Sequence, residues 1–344
     1  MTVHQNRRAC RTLRCESLEA RHAMAGNVVA VLTEGQLTIL GDDLANGVNV
    51  SFDVATGKHT VSGRDMGGSA TQLNGGTEPA EFTGVKHVRV WLGAGDDCLD
   101  FGAADAVYTA IAQKLAIDMG GGNDTVELGR AGNAAGAADP VVHRLYVNKG
   151  IYVDLGSGDD DLEVANLKTN KSLIVMAGDG NDEVTFATEH TPTGAPSAML
   201  FPVVAKGNLH VHLGQGDDSL ILLHAAVGQN MKILDPAGAA MIAIADVVVA
   251  EKISINTGIA NDQVILDYVG ADDLNINTGG GDDEVKIEHS RFKRLNVHLS
   301  GGEDELAIRH SRTSQYALLD GGGEGADLKH RNNALRGLLR RRFS

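Results

Sequence analysis

Aromatic residues are scarce in this chain, which has 344 residues of which 4% are aromatic, with Trp91 as the single tryptophan. A large globular enzyme usually buries more rings than this, so the composition argues against that class. Small and β-branched side chains, together with 43 glycines, are instead typical of a narrow core that is built in repeating layers.

Cysteine, long apolar runs and catalytic motifs are also lacking. Three cysteines, Cys10, Cys15 and Cys98, exclude a disulfide framework and a four-cysteine zinc site. No run reaches the ~18 apolar residues of a membrane helix, so no membrane span is predicted. The sequence contains no His-Glu-x-x-His, no Gly-x-Ser-x-Gly elbow and no Gly-x-x-x-x-Gly-Lys-Ser/Thr phosphate loop.

Positive charge is rare in the body of the chain. The formal net charge is −15, but residues 1–25 carry +3 and residues 328–344 hold six basic residues and no acid, which leaves −24 for residues 26–327. Such an acidic body repels phosphates, so no nucleic-acid partner is predicted. It favours cations instead.

A glycine- and aspartate-rich phrase recurs along the chain. Its copies are LGAGDDCLDF (92–101), MGGGNDTVEL (119–128), LGSGDDDLEV (155–164), AGDGNDEVTF (177–186), LGQGDDSLIL (213–222), TGIANDQVIL (257–266), TGGGDDEVKI (278–287) and LSGGEDELAI (299–308). Their last aspartates are separated by 27, 36, 22, 36, 44, 21 and 21 residues. A unit of 21–22 residues explains these intervals. The 44-residue interval then spans two units, with the degenerate copy LDPAGAAMIAI (234–244) between them, and the intervals of 27 and 36 residues are single units that contain insertions.

Each phrase lies between two short segments of alternating pattern. In LNVHL (295–299), for example, Leu295, Val297 and Leu299 share one face, and Asn296 and His298 share the other. Strand, glycine-rich turn and strand in about 21–22 residues predict one coil of an all-β, right-handed parallel β-helix, or solenoid. An antiparallel sandwich or propeller is the alternative, but hairpins need two distinct turn signals per repeat.

This periodicity divides the chain into four regions. They are a basic N-terminal leader (1–25), an N-terminal cap or first coils (26–90), the β-helix repeats (91–327) and a basic C-terminal tail (328–344) that can form a short helix over an open end.

Three insertions are expected after the same strand of their coils, at about 102–116, 129–146 and 188–207. They should therefore emerge on one side, where loops on a rigid scaffold can contact a cell-surface glycan or protein. Tolerated insertion without function is the alternative.

The phrases match the consensus x-Gly-x-Gly-x-Asp-x-U-x, where U is a large apolar residue, and so resemble the calcium-binding repeats of the RTX (repeats-in-toxin) family. The resemblance implies Ca²⁺ held by the aspartates and turn carbonyls of successive coils. The carboxylate candidates are Asp97, Asp124, Asp160, Asp182, Asp218, Asp262, Asp283 and Asp304. The matching turn glycines are Gly93, Gly95, Gly120, Gly122, Gly156, Gly158, Gly178, Gly180, Gly214, Gly216, Gly279 and Gly281.

Stacking would place these aspartates ~5 Å apart, so their charges must be neutralised, protonated or bridged. Calcium, which takes six to eight oxygens, is one solution. A metal-free ladder, in which each aspartate bonds backbone N–H groups, is the other. The chain departs from RTX arrays in keeping one motif turn per coil, in Ala260 and Ser300, and in the lap around Ala239, where no carboxylate is expected.

The basic leader resembles the LEPR-XLL-type N-terminal motif of planctomycete surface proteins. The positions that match are Arg11, Leu13, Glu16, Leu18, Glu19, Arg21 and Ala25. Ala20 replaces the usual proline, and Ala23-Met24 replaces two leucines. The resemblance implies export to the cell surface or the extracellular space.

Two functions are compatible with these patterns. One is a non-enzymatic, exported structural or adhesive solenoid that binds calcium along one edge. The other is a metal-free β-helix that binds or cleaves polysaccharide, since pectinase-like folds use paired aspartates on one outer face. Calcium titration followed by melting temperature separates them.

Overall fold

The computed structural model describes residues 26–53, 55–66, 70–102, 108–111, 113–129, 144–186, 203–323 and 325–343. In these ranges the chain forms β-strands and no helix. Accordingly, none of the residues described forms a helix that could cross a membrane. The predicted leader, 1–25, lies outside the described residues.

In chain order, the strands are β1 (Asn27–Thr33), β2 (Gln36–Leu40), β3 (Gly47–Asp53), β4 (Lys58–Gly63), β5 (Gln72–Leu73), β6 (Ala80–Thr83), β7 (His87–Ala94), β8 (Cys98–Phe101), β9 (Tyr108–Ile111), β10 (Lys114–Gly121), β11 (Thr125–Leu128), β12 (Arg144–Val147), β13 (Gly150–Ser157), β14 (Asp161–Val164), β15 (Leu167–Thr169), β16 (Leu173–Asp179), β17 (Glu183–Phe186), β18 (Val203–Ala205), β19 (Leu209–Gln215), β20 (Asp218–Leu223), β21 (Ala225–Val227), β22 (Met231–Leu234), β23 (Ala240–Ala245), β24 (Val248–Val249), β25 (Lys252–Asn256), β26 (Gln263–Asp267), β27 (Gly270–Asn277), β28 (Glu284–Glu288), β29 (Arg291–His298), β30 (Glu305–Arg309), β31 (Arg312–Asp320), β32 (Asp327–Arg331), β33 (Ala334–Leu335) and β34 (Leu338–Arg341).

Most strands pair in parallel with the equivalent strand one repeat further on, which arranges them in rows. The first row precedes the glycine-rich turn and includes β13, β16, β19, β22 and β25. The second row follows the turn and includes β14, β17, β20, β23 and β26. A third row of short strands, such as β15, β18, β21 and β24, adds a strand that the predicted strand-turn-strand unit lacks.

The register confirms the repeat length. Leu209 pairs with Met231 and Met231 with Ile253, so successive laps are 22 residues apart here. Asp218 pairs with Ala240, which makes the 44-residue interval two laps. The all-β, mostly parallel part of the predicted fold is therefore confirmed.

Alternation places one face of each strand in a continuous apolar core. Val153 and Val175, for instance, are adjacent in register and fully buried, whereas Tyr152 and Ile174, which precede them on the same two strands, are partly exposed. Since each lap covers the apolar side chains of the next, the core extends along the whole stack.

The two ends differ from the middle. At the N-terminal end, β1 pairs antiparallel with β2, and β2 joins the first row by pairing with β7. Strands β3, β4 and β6 form a separate antiparallel group, which joins the second row through the β3–β8 pair. At the C-terminal end, β32, β33 and β34 pair with β30 and β31 as one more lap. The helix expected in the basic tail is therefore wrong.

The three insertions lie between a second-row strand and the following third-row strand. Of these segments, 103–107, 112, 130–143 and 187–202 lie outside the described residues. The expected bounds were too wide, because β9, β12 and β18 occupy the ends of the three ranges.

Candidate functional site

The glycine-rich turns stack directly on one another, and their backbone explains the two glycines of the motif. Gly120 has φ 103° and Gly122 has φ 130°, in the region that side chains disfavour. A Cβ on Gly120 would lie 1.7 Å from the carbonyl oxygen of Gly93 in the neighbouring lap, and one on Gly122 would lie 2.2 Å from that of Gly95. All twelve predicted turn glycines share the positive φ.

The last aspartate of each phrase forms an inner ladder that runs along the stack. In each rung, a backbone N–H at the aspartate position of one lap donates to Oδ1 of the aspartate in the next lap. The rungs, donor first, are Asn46–Asp97 (2.7 Å), Asp97–Asp124 (2.8 Å), Asp124–Asp160 (2.7 Å), Asp160–Asp182 (3.0 Å), Asp182–Asp218 (2.8 Å), Ala240–Asp262 (2.8 Å), Asp262–Asp283 (2.9 Å) and Asp283–Asp304 (3.0 Å). All eight predicted carboxylates are thus brought together in one column.

These carboxyls are shielded from water. Each aspartate of the inner ladder is 1–2% exposed, and its second oxygen, Oδ2, is buried without a hydrogen-bond partner among the described residues. Because burial disfavours the charged form, it raises the pKa of Asp97, Asp124, Asp160, Asp182 and Asp283 to about 7. Burial also raises the pKa of Asp218, Asp262 and Asp304. The column therefore favours protonated carboxyls.

The residue before each of these aspartates forms a second, exposed ladder that runs in the opposite sense. Here the N–H of a later lap donates to the side-chain oxygen of the lap before it. The rungs, donor first, are Asn123–Asp96 (2.9 Å), Asp159–Asn123 (3.0 Å), Asn181–Asp159 (2.8 Å), Asp217–Asn181 (2.9 Å), Ala239–Asp217 (2.9 Å), Asp282–Asn261 (2.8 Å) and Glu303–Asp282 (2.8 Å).

This outer ladder explains why the phrase alternates between Asp-Asp and Asn-Asp. From Asp96 to Asp217 carboxylates and amides alternate, so that Asn123 lies between Asp96 and Asp159, and Asn181 lies between Asp159 and Asp217. The amide keeps the acceptor oxygen but carries no charge, so like charges do not face each other across adjacent strands. From Asp96 to Asp217 the chain thereby keeps each rung while limiting repulsion between neighbouring laps, whereas Asp282 and Glu303 further on are adjacent acids.

The degenerate lap has its own carboxyl, contrary to the expectation that none lies there. Ala240 takes the aspartate position of this lap. Asp235, which directly follows β22 and aligns with Leu213 of the preceding lap, reaches the column instead. Asp235 is fully buried and neither of its carboxyl oxygens has a hydrogen-bond partner among the described residues. Burial, followed by the charges of Asp218 and Asp262, raises its pKa to about 7.

The turns do not fit the calcium ion that the RTX resemblance implies. The carbonyl of Gly121 accepts the N–H of Gly95 at 2.7 Å, and the carbonyl of Gly93 is covered by Gly120. In each rung of the inner ladder one carboxyl oxygen already accepts an N–H, so each buried aspartate could offer a single further oxygen, whereas calcium takes six to eight. Within the described ranges, no group of three or more His, Cys, Asp or Glu side chains could hold a metal.

Sequence reasoning missed three parts of this site. The first rung, Asn46, is fully buried and carries an amide where later laps carry an acid. The role of the first Asp or Asn of the phrase, and the substitute Asp235, also went unrecognised. A degenerate early copy of the phrase, LGDDLANGVNV (40–50), and the alternation of Asp and Asn in the first five copies were the available signals for the first two.

Comparisons with protein-family models, with curated proteins and with solved structures found no match for this chain.

Proposed function

We propose that this chain is an exported, non-catalytic structural and adhesive protein, built as a right-handed parallel β-solenoid whose laps are held together by side-chain ladders. Parallel pairing one lap apart in each row supports the winding. The right hand follows from the strong preference of parallel strand crossovers for that sense.

The inner ladder is the observation that carries this proposal. A catalytic acid or a metal ligand needs an oxygen that a substrate or an ion can reach. The aspartates of the inner ladder are 1–2% exposed, and Oδ1 of each already accepts a backbone N–H from the preceding lap. These aspartates therefore form hydrogen bonds within the stack, where each one satisfies a buried backbone N–H.

Scattering and calcium titration test this architecture together. The first row runs from β2 to β34, so at ~4.8 Å per strand spacing the stack should be ~50 Å long. Small-angle scattering should show an elongated particle of that length, and a compact globular profile would contradict the solenoid. Calcium binding is what the sequence resemblance predicts, but the turns do not fit the ion. We therefore expect equal melting temperatures in chelator and in millimolar calcium, and a clear rise with calcium would contradict the metal-free ladder.

Export is the part of the proposal that rests on the leader. Its basic, LEPR-XLL-like residues resemble those of surface proteins, and residues 1–25 lie outside the described structure. Protease treatment of intact cells tests the address. Degradation of the protein without lysis would support a surface location, and full protection until lysis would contradict it.

Polysaccharide cleavage is a second candidate, favoured by one surface groove. Asp118 pairs in register with Asp154 on one side and with Trp91, which is 52% exposed, on the other. Arg89 and Tyr152 line the same groove. Burial, and then the charge of Asp154, raises the pKa of Asp118, as in a general acid. Release of reducing ends from plant or algal polysaccharides, abolished by Asp118→Asn, would establish this activity; no release removes it.

A further inference from the structure

A groove near the C-terminal end of the stack combines aromatic and cationic side chains. It has a volume of about 420 Å³, and the residues used below are Val248, Tyr268, Gly270, His289, Arg291 and Arg312. The groove follows the third row of strands and is open to solvent.

One wall of the groove is a column of rings at the corner between the second and third rows. Tyr268, His289 and His310 all adopt positive φ, of 53°, 47° and 51°, which places their side chains at the same corner in successive laps. The Tyr268 and His289 rings stack at 4.7 Å, and those of His289 and His310 at 5.0 Å. His289 Nδ1 lies 2.9 Å from Asp267 Oδ1, which fixes its orientation. Tyr268, at one end of the column, remains 57% exposed.

The groove is also lined by two arginines that no acidic side chain among the described residues neutralises. Arg291 and Arg312 are exposed and are direct neighbours in the register of β29 and β31. Within the described structure, neither guanidinium has a hydrogen bond or an ion pair with an acidic side chain. Like charges directly opposite each other on adjacent strands are unfavourable, so this pair is a cost to the fold.

Other cations on the same strand are handled differently. Lys293 lies 2.7 Å from Asp272, and Arg294 pairs with both carboxylate oxygens of Asp273. Next to Arg291 in the preceding lap the chain instead has Gly270, and Val248 precedes that. In a body of net charge −24, acids are plentiful. Their absence beside these two arginines therefore leaves the charges available to an outside anion.

We propose that this groove binds a linear acidic polysaccharide, whose carboxylates pair with Arg291 and Arg312 and whose sugar ring lies against Tyr268. Guanidinium groups recognise carboxylates through two parallel hydrogen bonds, and their spacing of one lap suits charges repeated along a chain. Tyr268 provides an apolar ring with a polar hydroxyl, and Gly270 and Val248 line the groove without adding a charged side chain. The acidic body disfavours the denser charge of a nucleic acid. This inference supplies the adhesive partner of the proposed function and rests on it.

Calorimetric titration of the full chain with oligogalacturonate tests the proposal, with a neutral glucan oligomer and a single-stranded oligonucleotide as comparisons. We expect binding of oligogalacturonate that weakens with salt, no binding of the glucan, and weaker binding of the oligonucleotide. Replacing both arginines (Arg291→Gln with Arg312→Gln) should weaken binding at least about tenfold, because charge-assisted hydrogen bonds are lost. Tyr268→Ala should weaken it as well.

The matched control is Lys293→Gln with Arg294→Gln, which removes the same charge from the same region but from cations that are already paired. It should change affinity less than about twofold. Failure of the unaltered chain to bind oligogalacturonate, equal losses in both double variants, or equally tight binding of the oligonucleotide would overturn the proposal. Scattering on the same samples separates the two conclusions: an intact ~50 Å stack without binding refutes this site and leaves the solenoid standing.

Discussion

Replacement of Asp160 by asparagine isolates the effect of burying an ionisable group in the inner ladder. Oδ1 of Asp160 accepts the N–H of Asp124 at 2.7 Å, whereas its Oδ2 is buried without a partner among the described residues. Asparagine keeps the acceptor oxygen and almost the same shape but cannot ionise. We therefore expect Asp160→Asn to remove a pH-dependent penalty while preserving the rung.

The magnitude follows from the pKa of Asp160, which burial raises from 3.8 to about 7. Between these pH values the folded chain holds a proton that the unfolded chain has released. The free energy of unfolding therefore falls as pH rises from about 4 to about 7 and is level above that range. The difference corresponds to about 4 kcal/mol for this one carboxyl. Asp160→Asn should recover much of it at pH 8 and little at pH 4.5.

Urea denaturation followed by circular dichroism, at pH 4.5 and pH 8, measures both effects. Asp160→Ala removes the acceptor and should lose about 1–3 kcal/mol at pH 4.5, because the N–H of Asp124 is left unsatisfied. Asp159→Asn, in the exposed outer ladder, keeps its rung and should change stability by less than about 0.5 kcal/mol. If Asp160→Asn destabilised the chain at pH 8 as much as Asp160→Ala, the reasoning would be refuted.

Three further predictions, each checked by thermal melting of substituted chains, test other parts of the structure. Gly122→Ala should destabilise the chain strongly, because the added Cβ would lie 2.2 Å from a carbonyl oxygen at a residue with φ 130°. Gly121→Ala should be tolerated, because the nearest atom to its Cβ is a serine hydroxyl oxygen at 3.1 Å. Equal effects of the two substitutions would contradict the stacked turns. Asp235→Leu should raise the melting temperature at pH 8, since it replaces a buried carboxyl without a described partner by the residue type of Leu213, one lap earlier; a lower melting temperature would argue that the carboxyl has a partner. Burial lowers the pKa of His59 from 6.5 to about 4, so the folded chain loses stability as pH falls through this range. His59→Leu should reduce that loss, and an unchanged fall in melting temperature between these pH values would contradict the prediction.

The repeat could be predicted from sequence because its cause is local. Gly120 and Gly122 are needed wherever the turn backbone has positive φ and lies against the previous lap, so the pattern recurs at the lap length. The column of aspartates followed from the same register. Residue identity alone did not decide between a metal ion and a backbone N–H as their partner, because both are satisfied by carboxylate oxygens.

The features that escaped prediction depend on packing between laps. Asp235 stands one lap after the apolar Leu213, and only the stack shows that it is buried near Asp218 and Asp262. The third-row strands are two or three residues long in several laps, too short for alternation to reveal. The C-terminal lap, β32 to β34, is basic and arginine-rich, and its strands are set by pairing with β30 and β31 and not by intrinsic preference.

The central claim is that the stacked aspartates act as uncharged hydrogen-bonding groups and not as calcium ligands. Carboxyl-carbon NMR of the chain labelled at aspartate, followed against pH with and without calcium, measures this directly. We expect Asp97, Asp124, Asp160, Asp182 and Asp283 to titrate near pH 7, with the same midpoints in millimolar calcium and in chelator. Titration near the ordinary aspartate value, or midpoints that move to lower pH when calcium is added, would contradict the claim.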